Sequence, residues 1–404
     1  MTVVTQPDVS VIIGAYEAMP YLVECLKSVE AQTIDPGRIE VIAVDDGSTD
    51  GTGEYLEEFA ARAAMPVTVI RQENSGGPSG PRNVGLGKAG GRYVFFLDAD
   101  DRLGPEALER MVAMADENGT DVVLGRVEGI NRTPPKSMWG KTLGRTDVFS
   151  SNIKFTLSAQ KLFRRALLDR HGMRFDESLW TGEDALFTME AYLRADGVSV
   201  LADYTCYYLV GREDGKHVTK TGGYALRFDS ARALMNLIAE MVPAGTRRDT
   251  LMIRPFLVTL LPQFGPKYLK DDEEVRRHKF ELAKPLMDAY WTPEVAQRLK
   301  VHERLRLHLV AAGRPDLLAD IVEFVRAKRQ AAAVLEKRGT RVYLIYPHFR
   351  SRAAGLPDSL YLAEAREARA FEGYREASAN SFLRRALRKI RRTLPPGGFG
   401  TAAA

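Results

Sequence analysis

Tyr93-Val94-Phe95-Phe96-Leu97-Asp98-Ala99-Asp100-Asp101 runs five apolar residues straight into three carboxylates. An apolar stretch of this length predicts a strand buried on both faces. Asp98, Asp100 and Asp101 then sit where the strand leaves the core, which in open α/β sheets is where ligands bind. Two acids one residue apart in a turn can share a hard divalent cation, and such a cation can hold a diphosphate. The plainer alternative is a solvated, Asp-rich turn capping the helix that starts near Pro105, because acids often precede helices. The neighbouring sequence decides between them.

Upstream, residues 9–14 (Val-Ser-Val-Ile-Ile-Gly) read as an opening strand, and residues 20–32 have helical spacing with Leu22, Cys25, Leu26 and Val29 on one face. A second strand, 40–44, ends in Asp45 and Asp46; the turn 47–51 leads into a helix reaching about Ala64. A third strand spans 67–71. A Gly/Pro/Ser loop follows at 74–81, then a short helix with Arg82 and Asn83 near its start. Downstream come a helix at 105–118 and a strand at 122–125. This alternation implies parallel βαβ units. Residues 126–150 have no clear period, 154–170 read as helical, 183–195 as an amphipathic helix and 198–210 as an aromatic strand. From 224 to 339 the pattern is helical throughout, and 341–346 is strand-like. The expected domains are 1–223, 224–339 and 340–404.

The chain of 404 residues, 45% apolar and 27% charged, can bury a large core. It lacks the long apolar run of a membrane-spanning helix, and residues 1–8 lack the charged-then-apolar pattern of a secretory leader. Cys25 and Cys206 are far apart and read as buried thiols in a reducing compartment, so a cytoplasmic protein is expected. The net charge of +4 is unevenly spread. Residues 380–404 hold six basic residues and no acid, and the rest of the chain has 51 basic against 53 acidic residues.

Three strand ends therefore carry polar clusters: Gly14-Ala15-Tyr16, Asp45-Asp46 and Asp98-Ala99-Asp100-Asp101. In a parallel sheet these ends lie on one rim. Two acidic ends beside a Gly-aromatic end suggest a nucleotide pocket, in which a Tyr stacks on a base and an Asp accepts from a pyrimidine N–H. Unrelated caps and turns would give the same residues without a shared site.

The four motifs in this order are specific. Residues 9–16 (Val-Ser-Val-Ile-Ile-Gly-Ala-Tyr), 44–50 (Val-Asp-Asp-Gly-Ser-Thr-Asp), 74–85 (Asn-Ser-Gly-Gly-Pro-Ser-Gly-Pro-Arg-Asn-Val-Gly) and 95–101 resemble the nucleotide-sugar half of a family 2 glycosyltransferase with a GT-A fold. The resemblance covers residues 8 to about 222 and weakens toward its end. Residues 74–85 and the segment through 220 are similar to enzymes that add N-acetylglucosamine to poly(ribitol phosphate) teichoic acid. The implied fold is α/β: a GT-A domain, with a Rossmann-like mixed sheet flanked by helices, then a mostly α-helical C-terminal region.

The same resemblance implies roles. Tyr16 and Asp46 would hold uracil beside Gly14, Asn74 and Arg82 would bind the nucleotide side, and Asp98 and Asp100 are the two acids of the Asp-x-Asp (DXD) motif. Asp98 would face the donor ribose or sugar, and Asp100 a Mn²⁺ or Mg²⁺ ion. Gly14-Ala15 departs from the Pro-Thr or Thr-Tyr common in the family, which bears on the base contacts. Read physically, Arg82 near a helix start is placed to meet phosphate oxygens, or is a surface arginine. Glu183-Asp184 opens a helix after Trp180-Thr181-Gly182. Acids there complement the helix dipole; the family's inverting members carry a Glu-Asp pair at this position, with the Asp as general base. Trp180 is either a sugar platform or a core residue. His217, in the polar loop after the last aromatic strand, is either a second metal ligand or a surface residue, and Arg212 in the same loop could contact diphosphate.

Residues 380–392 are basic and amphipathic at helical spacing, with Phe382, Leu383, Ala386, Leu387 and Ile390 on one face. The pattern suits an anionic membrane surface, an anionic polymer, or docking on the protein itself. The expected function is inverting, metal-dependent transfer from a UDP-sugar (UDP-N-acetylglucosamine or another UDP-hexose) to a hydroxyl of a cell-surface glycan or polyol-phosphate polymer of the cell wall, peripheral to the inner membrane face. The resemblance also raises a homo-oligomer. Two alternatives are a nucleotidyltransferase of similar fold and a non-enzymatic anionic-polymer-binding protein. The first would carry a Gly-rich basic loop after the first strand, which Gly14-Ala15-Tyr16-Glu17 lacks.

Overall fold

The computed structural model describes residues 6–134, 138–212, 223–327 and 334–370. His217 and the stretch 380–392 lie outside the described residues. The chain forms two compact units that divide at Leu260/Leu261.

The first unit is built on the strands β1 (Val9–Ala15), β2 (Ile39–Asp45), β3 (Val67–Arg71), β4 (Tyr93–Asp98), β5 (Arg102–Leu103), β6 (Val122–Ile130), β7 (Leu143–Thr146), β8 (Leu162–Arg164) and β9 (Val198–Val210). They form one sheet in the order β3-β2-β1-β4-β8-β6-β9-β5, with β7 also on β9. The half from β3 to β4 is parallel, as alternating strands and helices require. Beyond it β8 runs antiparallel to both β4 and β6, so the sheet is mixed. Its helices are α1 (Tyr21–Glu30), α2 (Thr52–Arg62), α3 (Ser79–Leu86), α4 (Ala107–Asn118), α5 (Arg165–Arg170), α6 (Glu183–Arg194), α7 (Tyr224–Met241) and α8 (Thr246–Arg254).

Apolar periodicity accounts for most of this. Residues 93–97 in β4 are all buried, and Asp98 is where the strand meets solvent. Helix α1 buries Leu22, Cys25, Leu26 and Val29, the expected face. Helix α3 lies unusually close to β1, because a Cβ at Gly85 would sit 2.5 Å from Ile12 Cγ2. That close approach brings Arg82 over the rim.

Two expectations of local structure change. Residues 154–170 do not form one helix; a short 3₁₀ turn at Ile153–Phe155 is followed by β8 and α5. Leu162 and Phe163 fill the slot between β4 and β6, and Phe163 packs edge-on against Phe96 and Phe187. Tertiary burial outweighs helical spacing there. Strand β6 continues past Gly125 to Ile130 through a bulge at Arg126. Finally, α7 packs on the start of α6, where Arg227 Nη1 donates to Thr181 Oγ1 at 2.9 Å and Ser230 Oγ to Thr181 O. The first compact unit therefore extends past residue 223, through Leu260.

The second unit is mostly helical: α9 (Glu273–Tyr290), α10 (Pro293–Gln297), α11 (Val301–Ala311) and α12 (Pro315–Arg326). Asp272 and Thr292 cap α9 and α10 through Val275 N and Val295 N. A hairpin of β10 (Val334–Arg338) and β11 (Arg341–Ile345) ends the helical run earlier than the pattern suggests, because β11 needs a partner. Buried Arg304 ties α11 to the following turn by donating to Leu360 O at 3.0 Å and to Leu362 O. Among the described residues no helix is long and apolar enough to cross a membrane.

Candidate active site

Register fixes the rim. Ala15 pairs with Asp45, and Gly14 with Asp98, so Tyr16, Asp46 and the acids after β4 emerge together. A Cβ at Gly14 would be 3.2 Å from the Pro81 ring, leaving little room for a larger residue where α3 begins. Tyr16 is 54% exposed on this rim. Asp46 is buried: its Oδ1 accepts from Gln72 Nε2 at 2.5 Å and Ser75 N at 3.1 Å, and its Oδ2 from Ser75 Oγ at 2.9 Å. Asn74 donates to Asp46 O at 3.0 Å and accepts from Gly76 N at 2.9 Å. Asp46 and Asn74 thus shape the 74–77 loop as well as facing the rim.

Arg82 is 9% exposed, and its guanidinium joins two elements. Nη2 donates to Asp98 Oδ1 at 2.8 Å and Nη1 to Glu183 Oε1 at 3.0 Å, while the group stacks over Phe175 at 5.3 Å. Burial opposes its charge, but Asp98 and Glu183 outweigh that and hold it above its ordinary range. The other Asp98 oxygen accepts from Gln160 Nε2 at 2.9 Å.

The three acids after β4 have separate surroundings. Asp101 is fully buried, accepting from Tyr207 OH and Val210 N at 2.7 Å each, so it pins the end of β9. Burial, then Asp98 and Asp100, raise its carboxyl above the ordinary range. Asp100 accepts no side-chain hydrogen bond among the described residues. Burial and then Asp98 push its carboxyl up to about 6, against Arg212 and Arg132. A half-buried carboxylate beside a second acid offers hard oxygen donors that suit Mg²⁺ or Mn²⁺. Among the described residues no three His, Cys, Asp or Glu side chains converge as a ligand group.

Helix α6 opens at Gly182, whose φ of +86° and approach to Ser230, 2.8 Å from a Cβ built there, call for glycine. Glu183 is buried on Arg82. Burial, then Asp184, raise its carboxyl, with Arg82 opposing. Asp184 is half-buried, and its Oδ1 accepts from Ala185 N at 2.7 Å. Trp180, just before, is 42% exposed. Arg212 donates to Glu17 O at 2.9 Å and lies over Tyr21.

The structure thus brings Asp98, Arg82 and Glu183 into one chain of contacts, with Asp184 the next residue along α6. Gln160, Phe175 and Tyr207 belong to it and carry no motif. Only the aromatic richness of residues 204–208 signalled Tyr207.

Comparison with known proteins sets this geometry in a lineage. Residues 10–173 match Glycosyl transferase family 2, and residues 225–322 match the Glycosyl transferase TarS linker domain. The glycosyltransferase GlyG of Streptococcus pneumoniae is 38% identical over 299 residues, taking in 68% of the chain and 94% of that protein. The chain belongs to glycosyltransferase family 2. A poly(ribitol-phosphate) beta-glucosyltransferase of Bacillus spizizenii is 42% identical over 212 residues. That match takes in 52% of the chain and 33% of the relative, so the chain spans about a third of the relative's length. The crystal structure of Staphylococcus aureus TarS 1–349 in complex with UDP-GlcNAc superposes with a TM-score of 0.76 at 29% identity, covering 89% of the chain and 99% of that structure. The sheet-bearing N-terminal part of the chain is accordingly the GT-A domain of a family 2 glycosyltransferase, and the C-terminal region is mostly helical.

Proposed function

We propose that the protein transfers a sugar from a UDP-sugar to a hydroxyl of a polyol-phosphate polymer or related cell-surface glycan, inverting the anomeric carbon. The observation that carries this reading is the Asp98–Arg82–Glu183 bridge, with contacts of 2.8 and 3.0 Å. It couples the acid at the end of β4 to the acid pair opening α6, so leaving-group and nucleophile chemistry share one site. The donor class follows the UDP-GlcNAc held by TarS, and the acceptor class follows the name of the Bacillus relative. The test is a screen of UDP release across UDP-GlcNAc, UDP-glucose and UDP-galactose, with and without poly(ribitol phosphate). Polymer-dependent release from a UDP-sugar is expected; no release from any would refute the reading.

Asp184 takes the proton from the acceptor hydroxyl as its oxygen attacks the anomeric carbon. The bond from that carbon to the β-phosphate oxygen breaks on the opposite face, and UDP leaves. Arg82 fixes Glu183 and Asp98, so α6 and the donor floor hold one geometry. Tyr16 offers a ring for the uracil, beside Gly14, Asp46 and Asn74. Asp100, with His217 from outside the described residues, would hold a Mn²⁺ or Mg²⁺ that offsets the charge of the diphosphate. Asp100→Ala should then weaken UDP binding in the presence of Mn²⁺ at least tenfold and leave metal-free binding unchanged; calorimetry showing equal Mn²⁺-dependent affinity would refute this role.

Residues 380–392 give the chain a basic, amphipathic segment suited to an anionic membrane surface. Removing residues 380–404 should release the protein from phosphatidylglycerol vesicles in co-sedimentation. Unchanged partitioning would rule out the anchor.

A further inference from the structure

Lys161 lies in the turn just before β8, between two wholly buried residues, Leu162 and Phe163, and Gln160, which reaches Asp98. The lysine is 2% exposed. Its Nζ donates to Ser158 O and lies 3.5 Å from Ser158 Oγ. Ser158 O also accepts from Thr188 Oγ1 of α6 at 3.2 Å. Thr188 is four residues after Asp184, so both share one face of α6. The ammonium thus sits on a carbonyl that α6 also reaches, through the residue one turn after Asp184. An ammonium has three N–H donors, and Ser158 accounts for two.

We propose that Lys161 is a positioning residue whose buried positive charge supports the Asp184 carboxylate in its proton-accepting state. This rests on the reading of Asp184 as the base. Other charges reach the same carboxylate: Arg254 at the end of α8, Arg82 of α3 and the adjacent Glu183. Tyr192 OH is taken up by Thr156 O at 2.9 Å. Burial pushes the Lys161 ammonium down to about 7 from 10.5, with Asp184 opposing. Below about pH 7 the charge is therefore present, which covers the range where a carboxylate base takes up its proton. A folded-state value below the unfolded one also means the charge costs stability at neutral pH and below.

Lys161→Met keeps an unbranched stem and removes the charge. The melting temperature should stay level or rise at pH 7. For polymer-dependent UDP release from UDP-GlcNAc, the acidic limb of the kcat profile should move up by about one pH unit, a tenfold loss at limiting pH. KM for the UDP-sugar should stay within about twofold. Lys161→Arg keeps the charge and should keep the limb near its wild-type position. An unmoved limb in Lys161→Met, a loss confined to KM, or equal shifts in both variants would overturn the proposal. Adding Lys161→Met to Asp184→Asn should cost nothing further, whereas a full additional loss would place Lys161 outside the Asp184 pathway. Wild-type turnover by Asp184→Asn alone would refute the base assignment itself, a result that does not involve Lys161.

Discussion

Asp184→Asn is expected to cut sugar transfer by about 10²–10⁴-fold, the range for a lost general base, while UDP-sugar affinity stays within a few-fold. The expectation is large because the substitution removes basicity and little else. Asn keeps an oxygen that can accept from Ala185 N, now 2.7 Å from Asp184 Oδ1, so the first turn of α6 is preserved. Glu183 cannot stand in for it: its Oε1 is committed to Arg82, and burial favours its protonated form. Single-turnover transfer together with calorimetric donor binding separates the two effects. Transfer near the wild-type rate would remove Asp184 from the mechanism.

Arg82→Met is expected to cost about 3–5 kcal/mol of stability, because it strands two carboxylates that now share one buried cation. Glu183 is the more buried of the pair, and Arg82 is what opposes the rise of its carboxyl. Without the guanidinium Glu183 takes a proton, and among the described residues the Asp98 carboxylate keeps only Gln160. Arg82→Lys should fall between, since a single ammonium cannot fork between oxygens on two elements. Urea unfolding is the measurement: a lower midpoint with unchanged slope for Met, smaller for Lys. Met and wild type unfolding at the same midpoint would show that the bridge holds nothing together. Transfer should fall in the same order, with the donor floor and α6 uncoupled.

The first half of the sheet was legible because it obeys simple periods. Residues 93–97 have no polar side that could face water, and α1 repeats its apolar residues at helical spacing. The cluster of polar strand ends followed from parallel pairing alone. What the sequence hid are contacts made across long separations. Arg82 and Glu183 are 101 residues apart, and neither sequence neighbourhood points to the other. Gln160 and Lys161 sit in a segment whose apolar spacing imitates a helix, yet the slot between β4 and β6 draws it into a strand. Consecutive residues then serve opposite sides, Gln160 toward Asp98 and Lys161 toward α6. A helical reading would separate them by about 100° and leave both without these partners.

The proposed inversion is the premise on which the proposed roles of Asp184 and Glu183 rest. The most direct measurement is the anomeric configuration of the product formed from UDP-GlcNAc and poly(ribitol phosphate), read from the anomeric proton coupling by NMR. A β-linked sugar is expected, because attack on the α-configured donor comes from the face opposite UDP. An α-linked product would contradict single displacement with Asp184 as base, however active the enzyme proved.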